Sequence, residues 1–373
     1  MSNVMNIKTK LHQKIVVDTI KKMNWENGSE APIVVEFDTT EACNLLCPGC
    51  ISENVMQGKR AFSRKRLLEL ADEMVSSNVK AVILIGGGEP LAHPNVGEFI
   101  ETLGRYGIEI GITTNGTFID RYIDVIAKYA SWTRVSMDAG TKEGFNKVRP
   151  SKSGINEFEH IVGNMKRLCE MKTGRAGYSF LIRTKKDGFG IESNVDELWK
   201  AALLAKEIGC DYFEVKPSYN FVGGANHSLV IHDRDDMEKA KCEIEKLEDL
   251  ETDKFKIVKA INLEDSLRCV EKKQIKDYCT CMVSQLRTLI TPSGVYICPY
   301  WRGKDEYKIG DVVEDSFKNM WNSERRKEVI KKCNPSTQCN FHCLRHESNI
   351  EIREILKTDI DKLNVLEEYD MFI

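Results

Sequence analysis

The chain has 373 residues, 42% hydrophobic and 30% charged, with a formal net charge of −3. That mix describes a globular protein with room for one large α/β domain and a smaller one. The near-neutral balance gives no footing for nucleic acid or an anionic membrane surface, no apolar run approaches the ~20 residues of a membrane span, and the N-terminus MSNVMNIKTKLHQK has no signal-peptide core. Cytoplasmic residence is the expectation. In a reducing compartment the 13 cysteines point to metal binding, redox chemistry or burial rather than disulfides.

In chain order, residues 1–31 form an N-terminal extension. IVVEFDT (33–39) then reads as a β-branched strand running into CNLLCPGC, which carries Cys43, Cys47 and Cys50. The helical stretch SRKRLLELADEMVSSN (63–78) precedes the apolar run AVILIGGGEP (81–90). VGEFIETLGRYG (96–107) is helical and IEIGITTNG (108–116) extended. YIDVIAKYA leads to WTRVSMD (132–138), FEHIVGNMKRLCEM to GYSFLIRTK (177–185), and VDELWKAALLAKEIG to DYFEVKPSY (211–219). Strands alternating with helices, and apolar enough to be buried on both faces, predict a parallel α/β sheet. The expected core, residues 32–230, is a partial (β/α)6 TIM-like barrel, with a doubly wound open sheet as the competing architecture. Residues 231–265 are charge-dense and predict a solvated helical connection. In residues 266–350, QLRTLIT and VYICPYW flank PSG and predict a β-hairpin turning at Gly294. Residues 351–373 are expected to form a tail helix.

The polar residues sit after the strands: three cysteines after the first, GGGEP after the second, TTNG after the third and SMD after the fourth. In parallel α/β folds the strand C-terminal ends carry the site, so these motifs converge on one rim. Three cysteines on one loop suit a [4Fe–4S] cluster with one iron left open, or a zinc site completed by a ligand from elsewhere. Cys169, Cys210 and Cys242 lie singly and read as small core hydrophobes. His93, in PLAHP, reads as a turn residue.

With C-x3-C-x2-C, GGGEP, TTNG and SMD in that order, the chain resembles the radical S-adenosylmethionine superfamily. The resemblance implies a cluster on Cys43, Cys47 and Cys50 whose open iron chelates S-adenosylmethionine. The cluster then supplies the electron that cleaves it to methionine and a 5′-deoxyadenosyl radical, which takes hydrogen from the substrate. It also implies that Gly86, Gly87, Gly88 and Glu89 hold the methionine ammonium and that Thr113, Thr114 and Asn115 lie near the ribose. Ser136 is expected at the carboxylate, and Arg183 and Asn194 are further contacts. The residue before the third cysteine is often aromatic in this family and lies by the adenine; here it is Gly49, so another group must cover that base.

CMVSQLRTLITPSGVYIC and CNPSTQCNFHC resemble the auxiliary-cluster region of SPASM and twitch domains. A full SPASM domain has ligands for a second auxiliary cluster; here Ile330 replaces one expected cysteine and none follows Cys343. The resemblance implies one auxiliary [4Fe–4S] cluster on Cys281, Cys298, Cys339 and Cys343, with Cys279 and Cys333 as substitutes and His342 and His346 as lesser ligands. A four-cysteine zinc site remains the alternative.

An auxiliary cluster near the substrate can accept an electron, which favours oxidation. The short stretch before the first strand leaves little room for a peptide-recognition domain. The expectation is therefore an oxidoreductase, similar to dehydrogenases, acting on a small sugar or aminocyclitol-like molecule, with reduced flavodoxin or ferredoxin as electron donor. Lys216, Asp138 and Tyr300 are the leading groups to move a proton, followed by Tyr219 and Arg183. A peptide-modifying epimerase or cross-linking maturase is the alternative, as is a zinc-binding module without catalysis.

Overall fold

The computed structural model describes residues 7–56, 59–220, 228–269 and 274–373, apart from the side chains of Asn220 and Ser228. Short pieces of the expected extension, barrel core and cluster domain (1–6, 57–58, 221–227 and 270–273) lie outside the described residues. Six parallel strands follow one another in the sheet: β1 (Val34–Phe37), β2 (Ala81–Leu84), β3 (Glu109–Thr114), β4 (Ala130–Ser136), β5 (Arg175–Leu181) and β6 (Tyr212–Lys216). These are the six strands that the alternating sequence predicts. β7 (Tyr219–Asn220) and β8 (Ser228–Leu229) form a small antiparallel pair beside the barrel.

Three features differ from the sequence reading. The connection 231–265 contains the helix Arg234–Leu247, but also β9 (Lys256–Lys259), a seventh parallel strand beside β6. KIVK is too short and too charged to announce itself; β6 supplies the hydrogen bonds that make it a strand. The hairpin predicted around Gly294 is β10 (Arg287–Thr291) and β11 (Gly294–Tyr296), extended by β12 (Lys308–Gly310). β10 also pairs in parallel with β1, so the cluster region and the barrel share one ten-stranded sheet. The tail is α-helical over His346–Lys357, with one further 3-10 turn at Ile360–Lys362. Met371, Phe372 and Ile373 are instead buried at the beginnings of the barrel strands, with the Phe372 ring edge-on to Trp132 at 5.4 Å. Apolar residues at the end of a charged tail carry no period to say where they go.

Strand alternation sorts the side chains. Val35 and Phe37 of β1 face the helices, where Phe37 meets the rings of Phe62 and Phe99 at 5.4 and 4.8 Å. On the other face lie ion pairs: Glu36 with Arg287 (2.6 Å) and Arg134 with Glu214 (2.8 Å). A closed barrel of this size would fill its interior with aliphatic side chains; polar pairs mark an interior suited to a polar ligand. Helices Ile7–Leu11, Lys14–Lys22 and His346–Lys357 cover the strand beginnings through Leu11, Val17, Ile20, Ile352 and Ile355, packed on Val34 and Ala81. The opposite rim keeps the polar motifs. Among the described residues, no helix is long and apolar enough to cross a membrane.

Candidate functional site

The loop after β1 is locked to the loop after β2. The Glu89 N–H donates to the Ala42 carbonyl at 2.8 Å, and a Cβ on Gly88 would run into that same carbonyl. Close backbone approach, rather than a special dihedral, is why glycine stands there. Glu89 is buried and accepts from the Leu91 N–H (3.1 Å), the Thr114 hydroxyl (2.5 Å) and the Asn115 N–H (2.7 Å), which ties the loops of β2 and β3 together. Burial nevertheless pushes its carboxyl up to about 7. A carboxylate offers about four acceptor positions, which leaves one for a further donor such as an ammonium. Thr113 receives a hydrogen bond from Arg134 at 3.3 Å, and Ser136 ends β4 opposite Ser179.

Two nitrogen donors reach the first cysteines. Asn115 Nδ2 lies 4.0 Å from Cys43 Sγ and 2.8 Å from Asn44 Oδ1. Arg149 Nη1 lies 3.6 Å from Cys47 Sγ, and its Nη2 pairs with Asp138 at 2.6 Å. Asp138 sits at a φ of 56°, unusual for a residue with a side chain. Its other oxygen accepts from the Leu181 N–H at 2.8 Å, while Asn194 Nδ2 donates to the Asp138 and Leu181 carbonyls at 3.0 and 2.9 Å. Asp138 and Asn194 are therefore engaged inside the protein: Asp138 positions Arg149, and Asn194 staples the ends of β4 and β5. Arg183 pairs with Asp187 and donates to the Pro48 carbonyl at 3.1 Å, bracing the cysteine loop.

The donors suit an iron–sulfur cluster. All three loop thiols are free and half-buried; burial pushes Cys43 up to about 11 and also raises Cys47. Such thiols hold their protons until a metal draws them off, and the Arg149 and Asn115 donors then face the sulfur charge. Arg149 Nε and Arg183 Nη2 are buried without a partner in the protein. Arg302, from the C-terminal region, pairs with the buried Asp38 at 2.7 Å just after β1 and adds a cation facing Cys50.

Lys216 ends β6 half-buried, facing Arg134, Glu214, Asp138 and Arg149. Burial, helped by the Arg134 charge, pushes its ammonium down to about 8, so a neutral amine is within physiological reach. Tyr300 behaves oppositely. Burial and neighbouring cysteines push its phenol well above the usual tyrosine range, and its ring packs on Phe341 at 4.7 Å, which suits a wall rather than a base. Tyr219 receives a hydrogen bond from Asn262 at 3.2 Å. His93 is a buried turn residue whose Nε2 bonds the Phe62 carbonyl at 2.8 Å.

In the C-terminal region, Cys281, Cys298, Cys339 and Cys343 lie within reach of one another's charge, and burial pushes Cys281 and Cys343 each up to about 11. Cys333 is buried against Cys339, which it hydrogen-bonds, whereas Cys279 is exposed to solvent. His346 Nδ1 bonds the Tyr278 hydroxyl at 3.0 Å. Of the remaining thiols, Cys210 is buried and in contact with Cys169, while Cys242 is exposed on the charged helix and is not a core residue. Arg149, Arg302 and Phe189 escaped the sequence reading because a lone residue between motifs has no spacing to flag it. Phe189 packs its ring where a Cβ on Gly49 would point, under the Arg183 guanidinium at 5.4 Å. The aromatic ring missing from the cysteine loop thus stands beside it, supplied by the segment after β5.

Residues 37–187 match the radical SAM superfamily, and residues 279–344 match SPASM, an iron–sulfur cluster-binding domain. The mycofactocin maturase MftC of Mycolicibacterium smegmatis is 25% identical over 304 residues, 80% of this chain and 72% of that one. The antilisterial bacteriocin subtilosin biosynthesis protein AlbA of Bacillus subtilis is 23% identical over 301 residues, 80% of this chain and 61% of that one. Among solved structures, Streptococcus suis SuiB bound to S-adenosylmethionine superposes with a TM-score of 0.61 at 14% identity, covering 88% of this chain and 77% of that one. The structure of anSMEcpe with bound AdoMet gives 0.54 at 17%, covering 87% and 97%. At those identities the likeness establishes the fold. The two matched domains bring a [4Fe–4S] cluster that works with S-adenosylmethionine and an auxiliary cluster of the same kind. The chain belongs to the radical S-adenosylmethionine superfamily and carries a C-terminal SPASM-type cluster domain.

Proposed function

We propose that the protein is a maturase that modifies a peptide by radical chemistry, in place of the sugar or aminocyclitol-like substrate expected above. The observation that carries this reading is the shared sheet. β10 of the cluster domain hydrogen-bonds to β1, whose end bears Cys43, Cys47 and Cys50, and Arg302 ties the two regions through Asp38. Both cysteine groups are thus carried by one sheet, the first after the end of β1 and Cys281 and Cys298 on either side of the β10–β11 hairpin. Relatives that match over 80% of this chain are named a maturase and a bacteriocin biosynthesis protein, and SuiB has been captured with a precursor peptide. When bound, the first cluster supplies the electron that turns S-adenosylmethionine into the hydrogen-abstracting radical. Asp138 holds the positive charge of Arg149 beside Cys47, Glu89 offers an acceptor for an ammonium, and Lys216 takes the proton released as the peptide is oxidised.

The test is mass spectrometry of short peptides encoded beside the gene, incubated anaerobically with reconstituted protein, S-adenosylmethionine and a reductant. A mass change in a peptide, with 5′-deoxyadenosine formed alongside, is the expected result. Turnover of aminocyclitols with every such peptide untouched would return the substrate to the small-molecule class.

Phe189 takes the adenine-covering role that Gly49 lacks. Base–aromatic stacking is worth about 1–3 kcal/mol, so Phe189→Ala should weaken S-adenosylmethionine binding by roughly 5- to 150-fold. Calorimetric titration of the reconstituted protein reads it directly, and unchanged affinity would remove Phe189 from the site.

A further inference from the structure

Asn349 lies on the helix His346–Lys357, is buried, and uses its whole amide. Its Oδ1 accepts from the backbone N–H groups of Met282 and Val283, at 2.7 and 3.3 Å, the two residues that follow Cys281. Its Nδ2 donates to the Arg345 carbonyl at 2.9 Å and to Cys281 Sγ at 3.6 Å. From the start of the same helix, the Arg345 N–H donates to Cys343 Sγ at 3.3 Å. The oxygen alone would staple the turn after Cys281; the nitrogen does something different, aiming a donor at sulfur from a buried side chain.

We propose that Asn349 donates an N–H···S hydrogen bond to the Cys281 thiolate of the auxiliary [4Fe–4S] cluster and thereby holds that cluster's reduction potential up. The proposal rests on Cys281 being a ligand of that cluster. Adding one electron makes the cluster and its thiolates more negative, with no bond made or broken. An N–H dipole pointed at a ligand sulfur stabilises this more negative state more than the oxidised one, so each such bond favours reduction. The effect is strongest where the donor is held inside the protein, as the buried Asn349 amide is. The Arg345 N–H acts in the same sense on Cys343, but as main chain it is untouched by substitution; Asn349 is the part of the device that sequence can change. A cluster that accepts the electron of a substrate radical benefits from a potential raised in this way. Because His346–Lys357 packs on the N-terminal helices, the setting is built by segments at both ends of the chain.

The experiment is a redox titration of the full chain, anaerobically reconstituted, with dithionite as reductant. It follows by electron paramagnetic resonance the signal that persists when Cys43, Cys47 and Cys50 are all alanine. Asn349→Asp keeps the oxygen that staples Met282 and Val283, cannot donate, and adds negative charge. Asn349→Leu removes the donor without adding charge. Both should titrate at a more negative potential than the wild type, Asn349→Asp by more, with about eight irons per chain retained. Ser348→Ala, on the same helix but not at Cys281, should titrate as the wild type does. A wild-type potential in both Asn349 variants at full iron content overturns the proposal. So does loss of the auxiliary irons in both, which would make Asn349 a staple of the turn only. A Cys281→Ser protein that keeps about eight irons and a wild-type signal would instead overturn the ligand assignment on which the proposal rests.

Discussion

Changing Cys43, Cys47 and Cys50 together to alanine should cut the iron content of the reconstituted protein from about eight atoms per chain to about four, and abolish formation of 5′-deoxyadenosine. The loop is held by backbone contacts rather than by the thiols: Glu89 N–H to the Ala42 carbonyl, Leu46 N–H to the Pro150 carbonyl, and Arg183 to the Pro48 carbonyl. The fold should therefore survive, and circular dichroism should match the wild type. Iron falling from about four to near zero would confine iron to the first site and remove an auxiliary cluster from the C-terminal cysteines. Zinc in place of iron would sink the radical chemistry altogether.

Lys216→Met should lower formation of modified product by roughly 10²–10⁴-fold, the usual worth of a positioned general base. 5′-Deoxyadenosine should still form, because Lys216 ends β6 whereas the cysteine loop follows β1. The sign of the pH dependence follows from the pKa. A base must be neutral to act, and burial together with the Arg134 charge brings the neutral amine within reach at about 8. Product formation in the wild type should accordingly rise as pH increases through about 8, and the residual rate of Lys216→Met should lose that limb. Methionine keeps the length and apolar stem of lysine, so packing against β5 is preserved. Equal loss of deoxyadenosine and product would move Lys216 from proton transfer to binding of S-adenosylmethionine. A variant as active as the wild type would leave it as a lysine at a strand end and nothing more.

The substrate class shows how far resemblance reaches. The short stretch before β1 suggested a small molecule, yet relatives that match over 80% of this chain bear the names of a maturase and a bacteriocin biosynthesis protein. Spacing of cysteines and glycines follows from chemistry common to the superfamily, whereas substrate preference lies in side chains from many segments. Asp138 illustrates the same limit within the site. As the last residue of SMD it looked like a free acid at a strand end, and only the approach of Arg149 and the Leu181 N–H reveals a carboxylate already engaged. Tyr300 similarly looked like a hydroxyl beside the rim; burial against Phe341 and the cysteines makes it part of a wall.

By itself the sequence determined the six parallel strands, the placing of the cysteine loop after the first of them, and the hairpin at Gly294. Each of these is written locally, as a run of apolar residues of strand length or as glycine and cysteine at fixed offsets. Tertiary structure alone decided that β10 would join β1 and merge two regions into one sheet, and that KIVK would become a strand at its edge. It also decided that Phe189 would stand against Gly49 and that Asn349 would reach Cys281 across 68 positions of sequence. Such contacts depend on where the backbone brings distant segments together, and a lone arginine, phenylalanine or asparagine has no period that could announce them.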